Sequence, residues 1–363
     1  MANLLNSSRY GLISDEVCGS LSVQWHITTA CDQRCEHCYM FDSDTYLFEK
    51  NNQLSLENSY LLIDQISEMA SKYKYESLLA ITGGDPLLNK NIWDILTYIK
   101  SKGNIRVVMM GNPYHLTDAN IKKLIKNNVK LFQLSLDGLE KTHDYYRKEG
   151  SFKATIAALE RLNYHGLTSG IMYTVSKDNV RDLIPLIKYL SDLDILDSFC
   201  FDRMIPIGTG KGLKECLFTP KEYRDLLYEI YHFESNNNLT FRIAKKEKLW
   251  GLLFSEMGII IPQEKYNYNF CGGCNLPYGL LSILSDGTVY GCRKIEIKIG
   301  KFPEQHIWDI FTKSTHLIEQ RNKENYKKCK DCHLFKYCRG CPAFKYSNYR
   351  DIFAKDDYCW RDV

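Results

Sequence analysis

Cysteine placement constrains this chain more than any other feature. Three of its 14 cysteines fall within eight positions, in "CDQRCEHC" (Cys31, Cys35, Cys38). Eight more crowd the last third: Cys271, Cys274, Cys292, Cys329, Cys332, Cys338, Cys341 and Cys359. Between the two groups lie Cys200 and Cys216, and Cys18 stands alone near the start. A structural zinc site takes four ligands and a disulfide framework an even count. Three thiols therefore either recruit a fourth from elsewhere or leave one metal position open. The distribution predicts two metal-bearing regions with a folded body between them.

The surroundings of those thiols follow from the rest of the chain. No stretch reaches about 18 consecutive apolar residues, so no hydrophobic spanning helix is expected. The start, "MANLLNSSRYGLISDE", lacks a basic end followed by an apolar core and does not read as a signal peptide. The expected location is the cytoplasm, where thiols stay reduced and serve metals rather than disulfides. Lys and Arg number 47 against 44 Asp and Glu, a net of +3, so no single-sign field calls for a nucleic-acid partner. The basic runs at 244–248 and 327–330 read as solvated faces.

The body alternates strand and helix patterns. Strands are expected at 21–28, 77–84, 105–111, 129–138, 168–176 and 198–208, from short β-rich or buried runs. Helices are expected at 55–73, 91–103, 117–128, 152–166 and 180–193, from apolar residues at helical spacing. Ser55 and Thr117 are the expected caps, Gly103 a stop, and Pro185 an interior irregularity. This order implies a parallel sheet with helices outside. Six βα units over 20–225 are too few for a closed eight-fold barrel. The expectation is an α/β fold: a partial (β/α)6 TIM-like barrel, its chemistry at the C-terminal ends of the strands. The first cysteine group follows strand one on that face, and "TGGDP" follows strand two. Residues 1–19 form an N-terminal segment, 226–270 a helical bridge, and 271–363 a cysteine-rich domain. "LLSILSDGTVYGC" (280–292) reads as a hairpin turning at Asp286-Gly287.

Thiolate-rich sites select iron–sulfur clusters or zinc. With its open fourth position, Cys-x3-Cys-x2-Cys after a first strand resembles the signature of radical S-adenosylmethionine (radical SAM) enzymes. The resemblance implies that Cys31, Cys35 and Cys38 hold a [4Fe–4S] cluster whose fourth iron binds S-adenosylmethionine. Reductive cleavage of that molecule yields a 5′-deoxyadenosyl radical, which abstracts a hydrogen atom from substrate. The position before the third cysteine is usually aromatic in the family; here it is His37, followed by Tyr39, and both are expected against the cofactor. Gly83, Gly84, Asp85 and Pro86 resemble the family's GGEP motif, which binds the methionine amino group, with Asp for Glu. "SLDG" and "FDRMIPIGTGKG" resemble two further cofactor-contacting segments, which implies roles for Ser135 and Arg203. "GTGKG" lacks phosphate-loop spacing and is not read as one.

The late cysteines read CxxC, then Cys292, then C-x2-C-x5-C-x2-C, then Cys359. Zinc ribbons normally separate two knuckles by some 15–20 residues, whereas five intervene here between Cys332 and Cys338. The pattern resembles the SPASM extension of radical SAM enzymes, which implies two auxiliary [4Fe–4S] clusters with interleaved ligands. By that resemblance Cys271, Cys274, Cys292 and Cys341 hold one, and Cys329, Cys332, Cys338 and Cys359 the other, for three clusters in all. Cys18, Cys200 and Cys216 remain as ordinary thiols.

SPASM enzymes mostly modify ribosomally made peptides or proteins, and the resemblance implies a peptide crosslink or other oxidation. The auxiliary clusters would accept the electron released when a substrate radical collapses to product. A flavodoxin or ferredoxin would supply reductant, in an anaerobic host. Arg293 stands where the sulfatase-maturing branch carries Asp, which argues against formylglycine formation. About twenty residues before the first strand leave no room for a leader-binding domain there. A separate protein, or the 220–262 surface, is expected in that role. Two alternatives stay open: tetrapyrrole side-chain modification, which the tail "CRGCPAFKYSNYRDIFAKDDYCW" also resembles, and an electron carrier without radical chemistry.

Overall fold

The computed structural model describes residues 20–41, 46–72, 76–260 and 272–361. Six parallel strands appear in sequence order: β1 (Ser20–His26), β2 (Glu76–Thr82), β3 (Ile105–Met110), β4 (Val129–Ser135), β5 (Ser169–Val175) and β6 (Ser198–Arg203). Side chains alternate across each strand. Leu21, Val23 and Trp25 of β1 are buried in the hydrophobic core, while Gln24 between them lines the central cleft. A short helix α1 (Tyr46–Asn51) precedes α2 (Leu56–Lys72), and α3 (Ile92–Lys102) and α4 (Asp118–Lys126) follow the next two strands.

The helix ends obey local chemistry. The Ser55 hydroxyl accepts from the Asn58 amide ahead of α2, and that of Thr117 from Asn120 ahead of α4. Gly103 closes α3 in the left-handed region, at φ 74°. After β4 come α5 (Glu140–Tyr146) and α6 (Ser151–Tyr164), and α7 (Val180–Leu193) lies between β5 and β6. Pro185 stays inside α7, which buries Leu183, Leu186, Ile187 and Leu190. That apolar stripe outweighs the one backbone bond a proline removes.

Two features differ from the sequence expectation, and both concern the sheet. The bridge is not purely helical: between α8 (Pro220–Asn236) and α9 (Trp250–Glu256), β7 (Arg242–Ala244) pairs in parallel with β6. Three residues are too few to show a strand period. The hairpin at 280–292 does form, as β8 (Leu280–Ile283) antiparallel to β9 (Thr288–Tyr290), with Gly287 at φ 85° in the turn. However, β8 also pairs in parallel with β1, Ser22 opposite Leu280 and Trp25 opposite Ile283. β10 (Lys298–Lys301) then pairs with β9. One ten-stranded sheet results, in the order β10-β9-β8-β1-β2-β3-β4-β5-β6-β7. The cysteine-rich region thus extends the barrel's own sheet. Beyond it lie α10 (Ile307–Lys313), α11 (Thr315–Arg321) and α12 (Pro342–Tyr349). No helix among the described residues is long and apolar enough to cross a membrane.

Candidate active site: a cleft between two groups of thiols

The strand ends explain where the first cysteines sit. After β1 the backbone runs alongside the turn that follows β2: the Gly84 amide donates to Thr28 O (2.9 Å) and the Asp85 amide to Ala30 O (2.7 Å). A Cβ on Gly84 would stand 2.1 Å from Ala30 O, so only glycine permits this approach. "GTGKG" clamps the other side. The Thr209 amide and hydroxyl donate to Cys38 O and Cys35 O, both at 3.0 Å, and a Cβ on Gly208 would stand 2.2 Å from Cys38 O. This glycine-rich stretch holds the cysteine loop rather than a phosphate.

Polar side chains then fix the thiols. Asn112 Nδ2 donates to Cys31 Sγ (3.3 Å) and to Asp32 Oδ1 (2.7 Å), and His115 Nε2 meets Asp32 Oδ2 at 3.2 Å. Arg147 Nη1 lies 3.8 Å from Cys35 Sγ, while its Nε donates to Asp137 Oδ2. Asp137 is fully buried, and its other oxygen accepts the Thr174 amide at 2.8 Å. Burial works against its charge, yet the Arg147 guanidinium and the nearby His37 hold its carboxyl well below the usual range. His143, which accepts the Asp137 amide at Nδ1 (3.1 Å), is pulled down to about 4 by burial and by Arg147. Asn112, Arg147 and His143 escape sequence reading, because isolated polar residues carry no spacing signal.

A single cleft of about 360 Å³ lies over these residues, at the C-terminal ends of the strands. Cys31, Cys35 and Cys38 line it from the β1 side. Cys274, Cys292 and Cys341 line it from the cysteine-rich region. These last three act on one another electrostatically, with Cys274 raising the pKa of both Cys292 and Cys341 after burial has done so. Cys329, Cys332, Cys338 and Cys359 line a separate, small cavity. Cys271 and Cys18 lie outside the described residues. Burial pushes the Cys35 thiol up to about 11 and those of Cys338 and Cys341 up to about 12. Buried thiols of this kind ionise when a metal takes the proton's place. A three-thiolate set with hydrogen-bond donors to sulfur fits an iron–sulfur cluster with one open iron, and a four-thiolate set fits a closed one.

The remaining expected residues divide. His37, Tyr39, Gly83, Gly84 and Ser135 line the cleft, whereas Asp85 and Pro86 do not. Asp85 is fully buried, accepts the Leu87 amide at 2.9 Å and the Asn112 amide at 3.3 Å, and is pushed up to about 6 by burial. Its carboxylate braces the turn. His37 packs edge-on against Tyr146, 5.3 Å between ring centres, with Nε2 3.4 Å from Asp137. Arg203 also lines the cleft. Its guanidinium is taken by Glu247 and by Asp356 (Nη1 to Oδ1, 2.7 Å), with the Tyr358 ring 4.8 Å away. It ties β6 to the cysteine-rich region, a pairing across 153 positions that no local motif reveals.

Comparison with known proteins agrees with this architecture. The Radical SAM superfamily model matches residues 25–190, and the SPASM iron–sulfur cluster-binding domain matches 274–333. The AdoMet-dependent heme synthase of Nitratidesulfovibrio vulgaris is 23% identical over 317 residues, 85% of this chain and 84% of that protein. The Fe-coproporphyrin III synthase of Methanosarcina barkeri is 31% identical over 192 residues, 53% of this chain and 46% of that protein. Among solved structures, Streptococcus suis SuiB bound to its precursor peptide SuiA superposes with a TM-score of 0.74 at 18% identity, covering 94% of this chain and 76% of that one. The chain thus carries a Radical SAM domain over residues 25–190 and a SPASM domain over 274–333, and the second continues the sheet of the first.

Proposed function

We propose that the chain is a radical SAM oxidoreductase that modifies a ribosomally made peptide, forming a crosslink or an equivalent two-electron oxidation. The observation that carries this reading is the shared cleft: Cys31, Cys35 and Cys38 face the same chamber as Cys274, Cys292 and Cys341. When bound, a [4Fe–4S] cluster with S-adenosylmethionine on its open iron supplies a hydrogen-abstracting radical. The chain's own residues hold that chemistry in place. Gly83 and Gly84 let the backbone close on the cysteine loop, Asn112 and Arg147 donate toward its sulfurs, and Ser135, His37 and Tyr39 wall the pocket. A substrate that loses a hydrogen atom and then a proton must also release one electron. An acceptor held by Cys274, Cys292, Cys341 and Cys271 would stand across the cleft to take it, with the set at Cys329, Cys332, Cys338 and Cys359 behind it. That makes three clusters: a flavodoxin or ferredoxin would reduce the first, and the auxiliary set, once reduced by the substrate, would pass its electron back to the first cluster or to the same carrier.

The peptide reading is supported by SuiB, whose structure holds a precursor peptide on a fold shared along 94% of this chain. A leader-binding partner protein belongs to the same proposal. The second reading, oxidation of a tetrapyrrole side chain, is favoured by the names of the two curated relatives. The deciding experiment is anaerobic co-expression with the short open reading frame nearest the gene, followed by mass spectrometry of the peptide. Loss of two hydrogens, absent with Cys31, Cys35 and Cys38 changed to Ala, is the expected result. An unchanged peptide, alongside turnover of Fe-coproporphyrin III, would replace the first reading with the second.

A further inference from the structure

The charged side chains lining the cleft are unequally matched. Asp202 is the one acid among the described residues there, against Arg147, Arg203, Lys246, Lys248, Arg293 and Lys294. Four of the six cations have an acidic partner. Arg147 meets Asp137, Arg203 meets Glu247 and Asp356, and Arg293 Nη2 meets Glu49 at 2.9 Å. Lys248 Nζ meets Asp202 Oδ2 at 3.0 Å, and the other Asp202 oxygen accepts the Arg203 amide at 3.0 Å, so both oxygens of the one acid are engaged. Lys246 and Lys294 are left over. Neither has a carboxylate within ion-pair distance among the described residues, and both line the chamber that holds the two groups of thiols.

Their positions follow from the sheet. Lys246 comes two residues after β7, on the same mouth of the barrel as the cysteine loop. Lys294 comes four residues after β9 and two after Cys292, with its ammonium 5.7 Å from the Tyr39 ring centre. They come from different elements yet act on one another and on Asp202 electrostatically, so the two ammonium groups are neighbours in the cleft. Lys246 keeps solvent contact in the open cleft and Lys294 is half-buried; desolvation by the cleft walls, with Lys248 and Lys294, pulls the Lys246 pKa down against the opposing pull of Cys200 and Asp202.

We propose that Lys246 and Lys294 together seat a carboxylate of the substrate, orienting the adjacent carbon between the two groups of thiols. This deepens the function proposed above and rests on it for the word substrate. The chemistry is shared by two sources, an Asp or Glu side chain of a peptide and a propionate of a tetrapyrrole. Two charge-assisted hydrogen bonds from separate elements supply orientation as well as affinity.

The test is a binding titration of the full chain, reconstituted anaerobically with its clusters and with S-adenosylmethionine present. Two probes are titrated separately, each beside its carboxamide analogue: Fe-coproporphyrin III, and a glutamate-bearing peptide from the neighbouring reading frame. The expected result is that one acid binds at least about tenfold tighter than its amide. Lys246→Met and Lys294→Met each remove about that factor for the acid and little for the amide, and the arginine variants restore it. The probe that binds names the source. Equal affinity for acid and amide, or binding of neither acid, would overturn the proposal. So would methionine variants that bind normally yet lower the midpoint potential of an auxiliary cluster, for then the lysines serve the cluster. Binding is read without turnover, so an enzyme that binds the acid but releases no 5′-deoxyadenosine would sink the functional reading and leave the subsite standing.

Discussion

The two walls of thiols facing the cleft are built in opposite ways. The Cys31–Cys38 wall comes from eight consecutive residues, held by backbone hydrogen bonds to Thr28, Ala30 and Cys38 and by the Thr209 hydroxyl to Cys35 O, beside glycines that allow close approach. The facing wall draws Cys274, Cys292 and Cys341 from segments far apart in sequence and holds them with buried charged side chains. Arg339 donates to Gly272 O (3.1 Å) and Cys274 O (2.8 Å), and Asp356 accepts the Cys341 amide at 2.7 Å. The Asp356 carbonyl accepts the Cys359 amide at 2.9 Å, which joins the two late thiol groups. A contiguous loop forms its site locally and cheaply in chain entropy, while a dispersed site exists only after the whole molecule has closed.

That contrast can be broken in order of expected effect. Replacing Cys31, Cys35 and Cys38 with Ala is expected to remove about four irons per chain and all 5′-deoxyadenosine formation, with the late thiols still loaded; iron analysis and chromatography check it. Cys292→Ala is expected to do the reverse: S-adenosylmethionine is still cleaved, but oxidised product falls to background. Cleavage without product is the signature to look for, and continued product formation would remove the acceptor role from that wall.

Arg203→Met tests the tie between the walls. It leaves Glu247 and Asp356 buried without their cation, and loss of one partner of a buried pair costs about 3–5 kcal/mol. Anaerobic denaturant unfolding measures this, and a change below 1 kcal/mol on the order of a surface pair would show the tie to be dispensable.

A smaller effect belongs to the contiguous wall. His143 has its pKa lowered from 6.5 to about 4, so protonation opposes folding. Its contribution is complete above about pH 6.5 and is lost as pH falls toward 4. Asp85, raised to about 6, works in the opposite direction across part of that window. The expected observation is therefore a difference: His143→Gln flattens the loss of stability on acidification relative to the unsubstituted chain. Identical slopes would show that His143 is not held neutral.

The smallest expected change is at Asn112. Its donation to Cys31 Sγ stabilises the more electron-rich state, so Asn112→Ala should lower the midpoint potential of the first cluster and leave the others unmoved. Spectroscopic redox titration reads this, and an equal shift in every cluster would point to a general loosening of the fold.

Much of this was legible in sequence. The six parallel strands, their helices, the caps at Ser55 and Thr117 and the hairpin turn at Gly287 all carry local signals: period, cap chemistry and turn chemistry. The three early thiols and the turn after β2 were readable because their spacing is itself the motif. Less was visible where a residue's task depends on a distant partner. Arg203 reads as a cleft residue from its place at the end of β6, and it lines the cleft, but the use of its charge 153 positions away carries no local signal. Asp85 reads as a ligand for an amine, yet it braces the turn it begins.

The sequence by itself determined that this chain builds a parallel α/β barrel with three thiols at the strand ends, because hydrophobic period and ligand spacing act over a few residues. Only the tertiary structure decided that the cysteine-rich region continues the same sheet through β8 against β1, that two sets of thiols share one cleft, and that Lys246 and Lys294 line it with no ion pair among the described residues. Strand order and charge pairing are settled by which surfaces close on one another, and that information is spread over the whole chain.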